Sequence, residues 1–351
     1  MALPFLKSGT KKRELIVAID LGSRTTKAVY LQRKGETLNL LRYAILDAPI
    51  YDKSLSPDLL SEHLKSVMQA LDAKTKHITL AVGVADSLLR TTELPPMPIP
   101  EMRLMLKYNS KNYLQQDLPD HVFDAYMVPP KQINPDPKAQ PKYKVWVGGA
   151  KNRVINDILT ATRAATVIPD EVTLSIVGPV NAFEFAEPET FRTGVAALVD
   201  VGFKNSTINI ISEGELMLSR VVGIGGDKLT TGLAEAMSVT YAEAEGIKIG
   251  MPTEVESALL PLISPLGREL RASIDFFEHQ QDKQVGQVYL SGGAANSQFM
   301  TQALQSELMV NCKSWNPTSF LRSTLPPQQA SELDQIAPQL AVCIGTAAIS
   351  F

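Results

Sequence analysis

The chain has 351 residues, 44% of them hydrophobic and 20% charged, a composition typical of a globular protein with about two or three domains. Lys and Arg total 34 against 37 Asp and Glu, and this near balance argues against a nucleic-acid-binding surface. Two cysteines and four scattered histidines exclude a disulfide framework and a spaced metal site, and the apolar runs are too short for a membrane span or a signal peptide.

The first predicted unit of structure is a β-hairpin. An apolar strand over 16–19 leads into Asp20-Leu-Gly22, and a polar turn with hydroxyl groups separates it from a second β-rich strand. Period-two apolar runs on both sides of a glycine-containing turn indicate antiparallel strands. Helical periodicity then predicts a helix over 56–71, and residues 77–84 predict a further strand, so this region has an α/β character.

A proline-rich segment over 94–100 interrupts this pattern, because proline removes a backbone donor and disrupts both helices and strand pairing. Beyond it the sequence predicts a helix over 101–116, a strand over 123–128, an exposed loop over 129–141, a strand over 143–147 and a helix over 152–165. We therefore expect a small domain, at about residues 93–168, inserted into the first half of the chain.

The hairpin pattern recurs in the second half of the chain. Residues 197–210 again contain an apolar strand, Asp200-Val-Gly202, a polar turn and a β-rich strand, and helical patterns follow over 228–237 and 241–248. Two copies nearly half a chain apart predict two similar domains that face each other.

The two turns carry the residue types of a phosphate-binding site. In a tight turn several backbone N–H groups point the same way, and the carboxylate at each strand end is suited to hold Mg²⁺ through water. An ordinary polar turn would explain one copy alone, whereas a pair suggests that a triphosphate is clamped from two sides. The candidate ligands are Asp20, Gly22, Ser23, Arg24, Thr25, Thr26 and Lys27 in the first turn, and Asp200, Gly202, Lys204, Asn205 and Ser206 in the second.

Two glycine-rich turns extend the candidate site. Residues 222–230 end a strand and begin a helix with Asp227 as its predicted N-cap, and residues 288–296 predict a strand, a Gly-Gly turn and a helix. Glycine lets a base or sugar approach the backbone, and a helix N-terminus favours phosphate. Glu245 and Lys248 share one helix face, either as a solvated ion pair or, as we favour beside these turns, as ribose and base contacts. The residues expected to frame a nucleoside are Gly225, Gly226, Glu245, Lys248, Gly292, Gly293 and Ala294.

Five segments resemble the motifs of the actin/Hsp70/sugar-kinase superfamily. In chain order they are phosphate 1 (16–29), connect 1 (175–185), phosphate 2 (197–210), adenosine (288–296) and connect 2 (341–351). Within this superfamily the chain is most similar to the PilM family, an FtsA-like branch that serves type IV pilus assembly. The narrower resemblance is carried by the turn at 220–226, the helix with Glu245 and Lys248, the proline-rich segment and the insertion after it.

The resemblance implies an α/β, actin-like ATPase fold in which two similar lobes enclose a nucleotide cleft. An FtsA/PilM-type 1C (SHS2) subdomain would be inserted in the first lobe. The implied units are a disordered tail (1–13), subdomain 1A (14–92, 169–193 and 338–351), 1C (93–168), 2A (194–227 and 285–337) and 2B (228–284).

The resemblance also implies a function. It describes a cytoplasmic scaffold that binds ATP with Mg²⁺ and recruits the cytoplasmic tail of a PilN-like inner-membrane protein, which would hold the chain at the inner membrane. The tail would dock in a groove between 1A and 1C. The resemblance leaves open whether the chain forms homo-oligomers and which pilus or type II secretion system it serves.

Two departures from strongly hydrolytic relatives predict slow hydrolysis or none. Phe203 and Lys204 stand where small residues usually follow the second Asp-x-Gly. Asn181 stands where actin carries a water-orienting glutamine, and its shorter side chain would hold water too far from in-line attack. A turnover above about 1 per second would contradict this expectation.

Two other functions are compatible with the same core. A small-molecule kinase would need a carboxylate base near the acceptor hydroxyl, for which Asp86 and Asp124 are the candidates. An FtsA-like filament-forming ATPase would carry a C-terminal amphipathic helix, and the sequence given reaches Phe351 directly after connect 2, which favours the pilus branch.

Overall fold

Three β-sheets organise the molecule, two large ones in the two halves of the chain and a small one in the insertion. The computed structural model describes residues 13–50, 55–128 and 142–350. The predicted loop over 129–141 and the predicted tail, except Arg13, lie outside these residues. Arg13 is anchored rather than loose, because its guanidinium donates two hydrogen bonds of 3.0 Å to the Asp170 carboxylate.

The strands and helices of the described residues alternate along the chain. The strands are β1 (Leu15–Leu21), β2 (Thr25–Lys34), β3 (Thr37–Asp47), β4 (His77–Val82), β5 (Ser87–Leu94), β6 (His121–Met127), β7 (Tyr143–Lys151), β8 (Ile168–Leu174), β9 (Val195–Val201), β10 (Ser206–Ser212), β11 (Glu215–Val222), β12 (Gln287–Gly292), β13 (Cys312–Ser314) and β14 (Arg322–Ser323). The helices are α1 (Pro57–Ala70), α2 (Ile99–Leu114), α3 (Asn152–Ala164), α4 (Gly178–Ala186), α5 (Pro188–Thr193), α6 (Gly226–Met237), α7 (Tyr241–Gly250), α8 (Glu256–Gln281), α9 (Gln298–Leu308), α10 (Pro327–Ile336) and α11 (Ala341–Ala348).

The first large sheet has the strand order β14-β3-β2-β1-β4-β8 and forms the first lobe. β1 and β2 make the predicted hairpin, antiparallel with Asp20 opposite Lys27, whereas β4 and β8 add in parallel. Leu64 of α1 and Ile158 of α3 pack against Ile19 on one face of this sheet. Burial of each such side chain contributes about 1.5–3 kcal/mol, which fixes the face that each strand turns inward.

The second large sheet repeats this arrangement with the order β11-β10-β9-β12-β13 and forms the second lobe. β9 and β10 make the second hairpin, antiparallel with Asp200 opposite Thr207, and β12 adds in parallel to β9 as β4 does to β1. α6, α8 and α9 contribute Leu233, Ile263 and Leu304 to the core on one face. Both hairpin predictions are confirmed, and the shared strand pattern shows two lobes of similar construction.

A common core joins the lobes around α4 and α11. Phe183 of α4 makes edge-on contacts with Tyr289 and Trp315, at ring-centroid distances of 4.7 and 5.2 Å. α4 and α11 approach each other at Gly178 and Gly345, where a Cβ on Gly345 would overlap the Gly178 carbonyl oxygen. The two segments that resemble the connect motifs are therefore packed backbone against backbone between the lobes.

The small antiparallel sheet β5-β7-β6 is covered by α2; β6, β7 and α2 lie in the predicted insertion, whereas most of β5 precedes residue 93. Met102 and Leu106 of α2 pack on Val147 of β7. The Trp146 indole Nε1 donates a 3.0 Å hydrogen bond to the Leu216 carbonyl oxygen of β11. The insertion thus contacts the second lobe as well as the first; the exact subdomain bounds stay predictions.

Candidate functional site

A cleft of about 430 Å³ lies between the two hairpin turns. Its walls come from the first turn on one side and the second turn on the other, which brings together two segments nearly half a chain apart. The sequence-predicted residues that line it are Asp20, Gly22, Ser23, Arg24, Thr25, Thr26, Lys27, Asp200, Gly202, Lys204 and Asn205.

The two aspartates place buried carboxyl groups at equivalent points of the cleft. Burial raises the pKa of Asp20 to about 6 from an ordinary 3.8; Lys27 opposes this rise and Asp200 adds to it. Burial also raises the pKa of Asp200, although Ser291 donates a 2.9 Å hydrogen bond to its Oδ1 and Lys27 lies near. Two desolvated carboxyl groups therefore face one cavity, where a bound cation would restore their charged forms.

The hydroxyl groups of the two turns have different partners. Thr26 is buried, and its Oγ1 lies 2.7 Å from the His63 Nε2 of α1. Ser206 is also buried, but it donates a 2.6 Å hydrogen bond to the Ile224 carbonyl oxygen. Among the candidate phosphate ligands of the two turns, Ser206 alone does not line the cleft, because its hydroxyl binds the next loop instead.

The first glycine-rich turn lies behind the second hairpin turn. The amides of Gly226 and Asp227 donate hydrogen bonds of 2.9 and 2.8 Å to the carbonyl oxygens of Gly202 and Phe203. Gly225 allows this approach, because a Cβ there would overlap the Phe203 carbonyl oxygen. The N-cap prediction for Asp227 is wrong: Gly225 is the N-cap of α6, and Asp227 lies in its first turn, where its amide is used by the second hairpin turn.

The second glycine-rich turn lies at the end of β12. Gly292 has a φ of +90° and packs against the Val201 backbone, with Gly293 and Ala294 following in the turn. The prediction of a helix directly after this turn is wrong, since α9 begins at Gln298 with Ser297 as its side-chain cap. Gly225, Gly226, Gly292, Gly293 and Ala294 do not line the cleft. Gly225 and Gly292 instead pack against backbone atoms of the second hairpin.

Glu245 and Lys248 form an ion pair in a small polar cluster. The Lys248 Nζ lies 2.6 Å from the Glu245 Oε2, and the Thr230 hydroxyl donates a 2.5 Å hydrogen bond to the same oxygen. Burial alone would raise the pKa of Glu245, but these partners outweigh it and lower the pKa. Arg24 of the first turn reaches this cluster: its Nη1 lies 3.2 Å from the Glu245 Oε1, and its guanidinium carbon lies 5.1 Å from the Phe203 ring centroid. Glu245 and Lys248 themselves do not line the cleft.

Asn181 is placed differently from the other candidates. It is buried in α4, and its Nδ2 donates a 3.4 Å hydrogen bond to the Gly345 carbonyl oxygen. Asn181 does not line the cleft, so its amide is not placed to orient a water between the two turns.

The two candidate kinase bases are both ion-paired. Asp86 lines the cleft but lies 2.9 Å from the Lys151 Nζ, and Asp124 lies 3.0 Å from the Arg103 Nε and outside the cleft lining.

Several residues that line the cleft were not predicted from the sequence. Thr207 lies one residue beyond the predicted turn, and Lys151, Arg153 and Asp157 reach the cleft from the end of β7 and the start of α3. Only Thr207 carried a usable signal, because it occupies the place in the second hairpin that Lys27 occupies in the first.

Comparison with known proteins identifies the family. A family model described as type IV pilus assembly protein PilM matches residues 18–351. The chain belongs to this family. The Bacillus subtilis (strain 168) cell division protein FtsA is 20% identical over 256 residues, which cover 67% of this chain and 57% of FtsA, so the match spans little more than half of that relative.

Solved structures establish the fold. A PilM-PilN type IV pilus biogenesis complex matches with a TM-score of 0.82 at 21% identity, over 97% of this chain and 99% of that chain. MreB5 of Spiroplasma citri, solved with bound ADP, matches with a TM-score of 0.54 at 9% identity over 96% of both chains. The predicted actin-like fold with two similar lobes is confirmed.

The part of the chain over residues 13–50, 55–128 and 142–350 holds neither a membrane-spanning helix nor a cluster of metal-ligating side chains. Every helix in it is too short or too polar to cross a membrane. The same residues hold no group of three His, Cys, Asp or Glu side chains placed to bind a metal ion.

Proposed function

We propose that this chain is an ATP-binding scaffold of the type IV pilus assembly platform, which binds the cytoplasmic tail of a PilN-like inner-membrane protein. The observation that carries the nucleotide part is the pair of equivalent hairpin turns, each with a buried aspartate, that line one cleft. The ADP bound to MreB5 and the PilN partner of the solved complex support the proposal by family likeness.

The donor groups of the cleft fit a hydrated Mg²⁺ ion that accompanies a triphosphate. Asp20 and Asp200 would hold the ion through water, since Mg²⁺ retains most of its waters and prefers oxygen ligands. The Lys27 ammonium and the backbone amides of both turns would bind phosphate oxygens. The ion would offset phosphate charge beside two carboxyl groups whose pKa values are raised by burial.

We propose slow hydrolysis, or none, for the same cleft. Phe203 and Lys204 occupy the second turn, and the Phe203 ring is covered by the Arg24 guanidinium. The amide of Asn181 is bound to Gly345, away from the cleft lining. A water without an orienting side chain loses the rate advantage of a fixed position.

Isothermal titration calorimetry with Mg-ATP tests the nucleotide proposal. The unaltered chain should bind one equivalent, and Asp20→Ala should abolish measurable binding. Asp275→Ala is the matched control, because Asp275 pairs with Arg271 on the surface of α8, remote from the cleft lining. Unchanged affinity in Asp20→Ala would refute the assignment.

The partner would occupy a groove between the insertion and the first lobe. This groove, of about 50 Å³, is lined mainly by apolar side chains of β6, β7, β8 and α3. Among the described strands, β6 pairs only with β7 and β8 pairs only with β4, so each presents an outer edge. An extended peptide can add to such an edge and insert alternate apolar side chains. The lining residues that would contact it are Val122, Phe123, Ile155, Val172, Thr173 and Leu174.

Fluorescence polarisation with a labelled PilN-like cytoplasmic tail peptide tests the groove. Val122→Glu should weaken peptide binding at least about tenfold, because it buries a charge against an apolar side chain. Leu104→Glu is the control: Leu104 and Val122 are exposed to 56% and 41%, both lie on the insertion, and Leu104 is outside the groove. Equal affinities for both variants would exclude this groove as the docking site.

A further inference from the structure

One side chain that lines the cleft has a buried hydroxyl group without a hydrogen-bond partner. Thr207 lines the cleft and is 5% exposed, and its Oγ1 is buried without a hydrogen-bond partner. Native proteins pair nearly all buried polar groups, and an unpaired hydroxyl costs about 1–3 kcal/mol. Because this unpaired hydroxyl lies in the wall of a cavity, we explain it by a ligand that supplies the missing hydrogen-bond partner.

The position of Thr207 in its hairpin narrows the choice of ligand. In the first hairpin Asp20 pairs with Lys27, and in the second Asp200 pairs with Thr207. Lys27 and Thr207 therefore stand at equivalent places on opposite walls, each across a strand pair from a buried aspartate. A ligand that reaches Lys27 from the first lobe would meet the Thr207 side chain from the second.

The neighbouring hydroxyl cannot take this role. Ser206 donates its hydrogen bond to the Ile224 carbonyl oxygen and does not line the cleft. In the first turn the Thr26 hydroxyl is already close to His63. Thr207 thus offers a hydroxyl that can turn about its χ1 bond toward an occupant without breaking an existing contact.

We infer that the Thr207 hydroxyl is the second lobe's side-chain ligand for the terminal phosphate of a bound Mg-nucleoside triphosphate. The inference rests on the proposed function, since it requires that the cleft binds nucleotide. The hydroxyl donates to an anionic phosphate oxygen, opposite the Lys27 ammonium, and so distinguishes a triphosphate from a diphosphate. Hydrogen bonds to charged acceptors are strong enough to change affinity about tenfold or more.

Calorimetry with Mg-ATP and Mg-ADP on the full chain tests this assignment. Thr207→Val keeps the β-branched shape and removes the hydroxyl; it should lower the affinity for Mg-ATP about tenfold and leave the affinity for Mg-ADP within about threefold. Thr207→Ser keeps the hydroxyl and should restore most of the preference for ATP. Ser61→Ala is the control, because Ser61 of α1 also carries a buried hydroxyl without a partner but does not line the cleft.

Thermal unfolding of the ligand-free variants separates binding from structure. Thr207→Val should unfold at the same temperature as the unaltered chain or higher, because no hydrogen bond is lost. An unchanged Mg-ATP affinity, an equal loss for both nucleotides, or a lowered unfolding temperature would overturn the role of Thr207 while leaving nucleotide binding intact. Failure of the unaltered chain to bind either nucleotide would instead overturn the proposed function together with this inference.

Discussion

The two hairpin turns share a backbone plan but differ in what supports them. The second turn is held by hydrogen bonds to the adjoining glycine-rich loop. The amides of Gly226 and Asp227 in the loop donate to carbonyl oxygens of the turn, and the Ser206 hydroxyl donates to a carbonyl oxygen of the loop. The first turn lacks an equivalent glycine loop among its described contacts, and its Arg24 forms an ion pair with Glu245 of α7. The duplicated register is retained in both, whereas the surrounding contacts have diverged.

The two turns therefore differ in how they are held: Arg24 of the first turn forms an ion pair with Glu245, whereas the second turn is fixed by backbone hydrogen bonds. The first turn carries Arg24 and Lys27, and burial raises the pKa of its Asp20 to about 6. The second wall has Thr207 opposite its aspartate and a turn fixed by backbone hydrogen bonds. We therefore expect changes in the second turn to affect folding and changes in the first to affect charge and lobe closure.

The largest expected effect comes from Gly225→Ala. Its Cβ would overlap the Phe203 carbonyl oxygen, so either the second turn or the start of α6 must move. We expect a loss of unfolding free energy on the order of 3 kcal/mol or more in urea titrations, with loss of Mg-ATP binding. Gly223→Ala is the matched control, because a Cβ there meets no atom within 4 Å. Equal stability of the two variants would show that the second turn is not rigidly braced.

Asp20→Asn should have the opposite effect on stability. The pKa of Asp20 is raised in the folded chain, so folding binds a proton between about pH 4 and 6 and unfolding free energy falls as the pH rises through that range. Removing the charge should stabilise the ligand-free protein by up to about 3 kcal/mol at pH 7 and flatten this slope. Urea unfolding between pH 4 and 7 measures both. An unchanged pH profile in the variant would show that the Asp20 carboxyl group does not titrate with a raised pKa in the folded chain.

Much of this comparison was predictable from sequence because its signals are local. Asp-x-Gly between two apolar β-rich runs specifies a hairpin with few competing structures, and both copies are present. The insertion at about residues 93–168 stays a prediction; its signal is the prolines over 94–100, which end one pattern before another begins. Residues 101–116 were predicted as a helix and α2 spans Ile99–Leu114, since Pro98 and Pro100 fit its N-terminal end.

The remaining parts depend on contacts that sequence spacing does not encode. α8 contains Pro261 and Pro265, which argue locally against a helix, but burial of Leu259, Ile263 and Leu266 outweighs that preference. The ion pair between Arg24 of the first turn and Glu245 of α7 joins the two halves of the chain, so no local spacing in the sequence predicts it. The orientation of the Asn181 side chain depends on the close approach of α4 and α11, a tertiary contact that the local sequence does not indicate.

Arg24→Gln should change stability less than Gly225→Ala or Asp20→Asn. It removes the ion pair with Glu245, but the Arg24 side chain is 41% exposed, and such pairs contribute about 1 kcal/mol or less after solvent screening. We expect faster amide hydrogen exchange in α7 and in the first turn with little change in global stability. Lys65→Gln breaks an exposed pair with Glu62 inside one helix and should leave exchange at the cleft unchanged. Identical exchange in both variants would show that the ion pair between Arg24 and Glu245 does not hold the lobes together.

The central claim is that both hairpin turns bind one ligand. A crystal structure with Mg²⁺ and a non-hydrolysable ATP analogue measures this most directly. We expect the phosphate groups to lie between the two turns, with the metal ion beside Asp20 and Asp200. Nucleotide bound to one turn alone, or elsewhere with both turns packed against protein side chains, would contradict it.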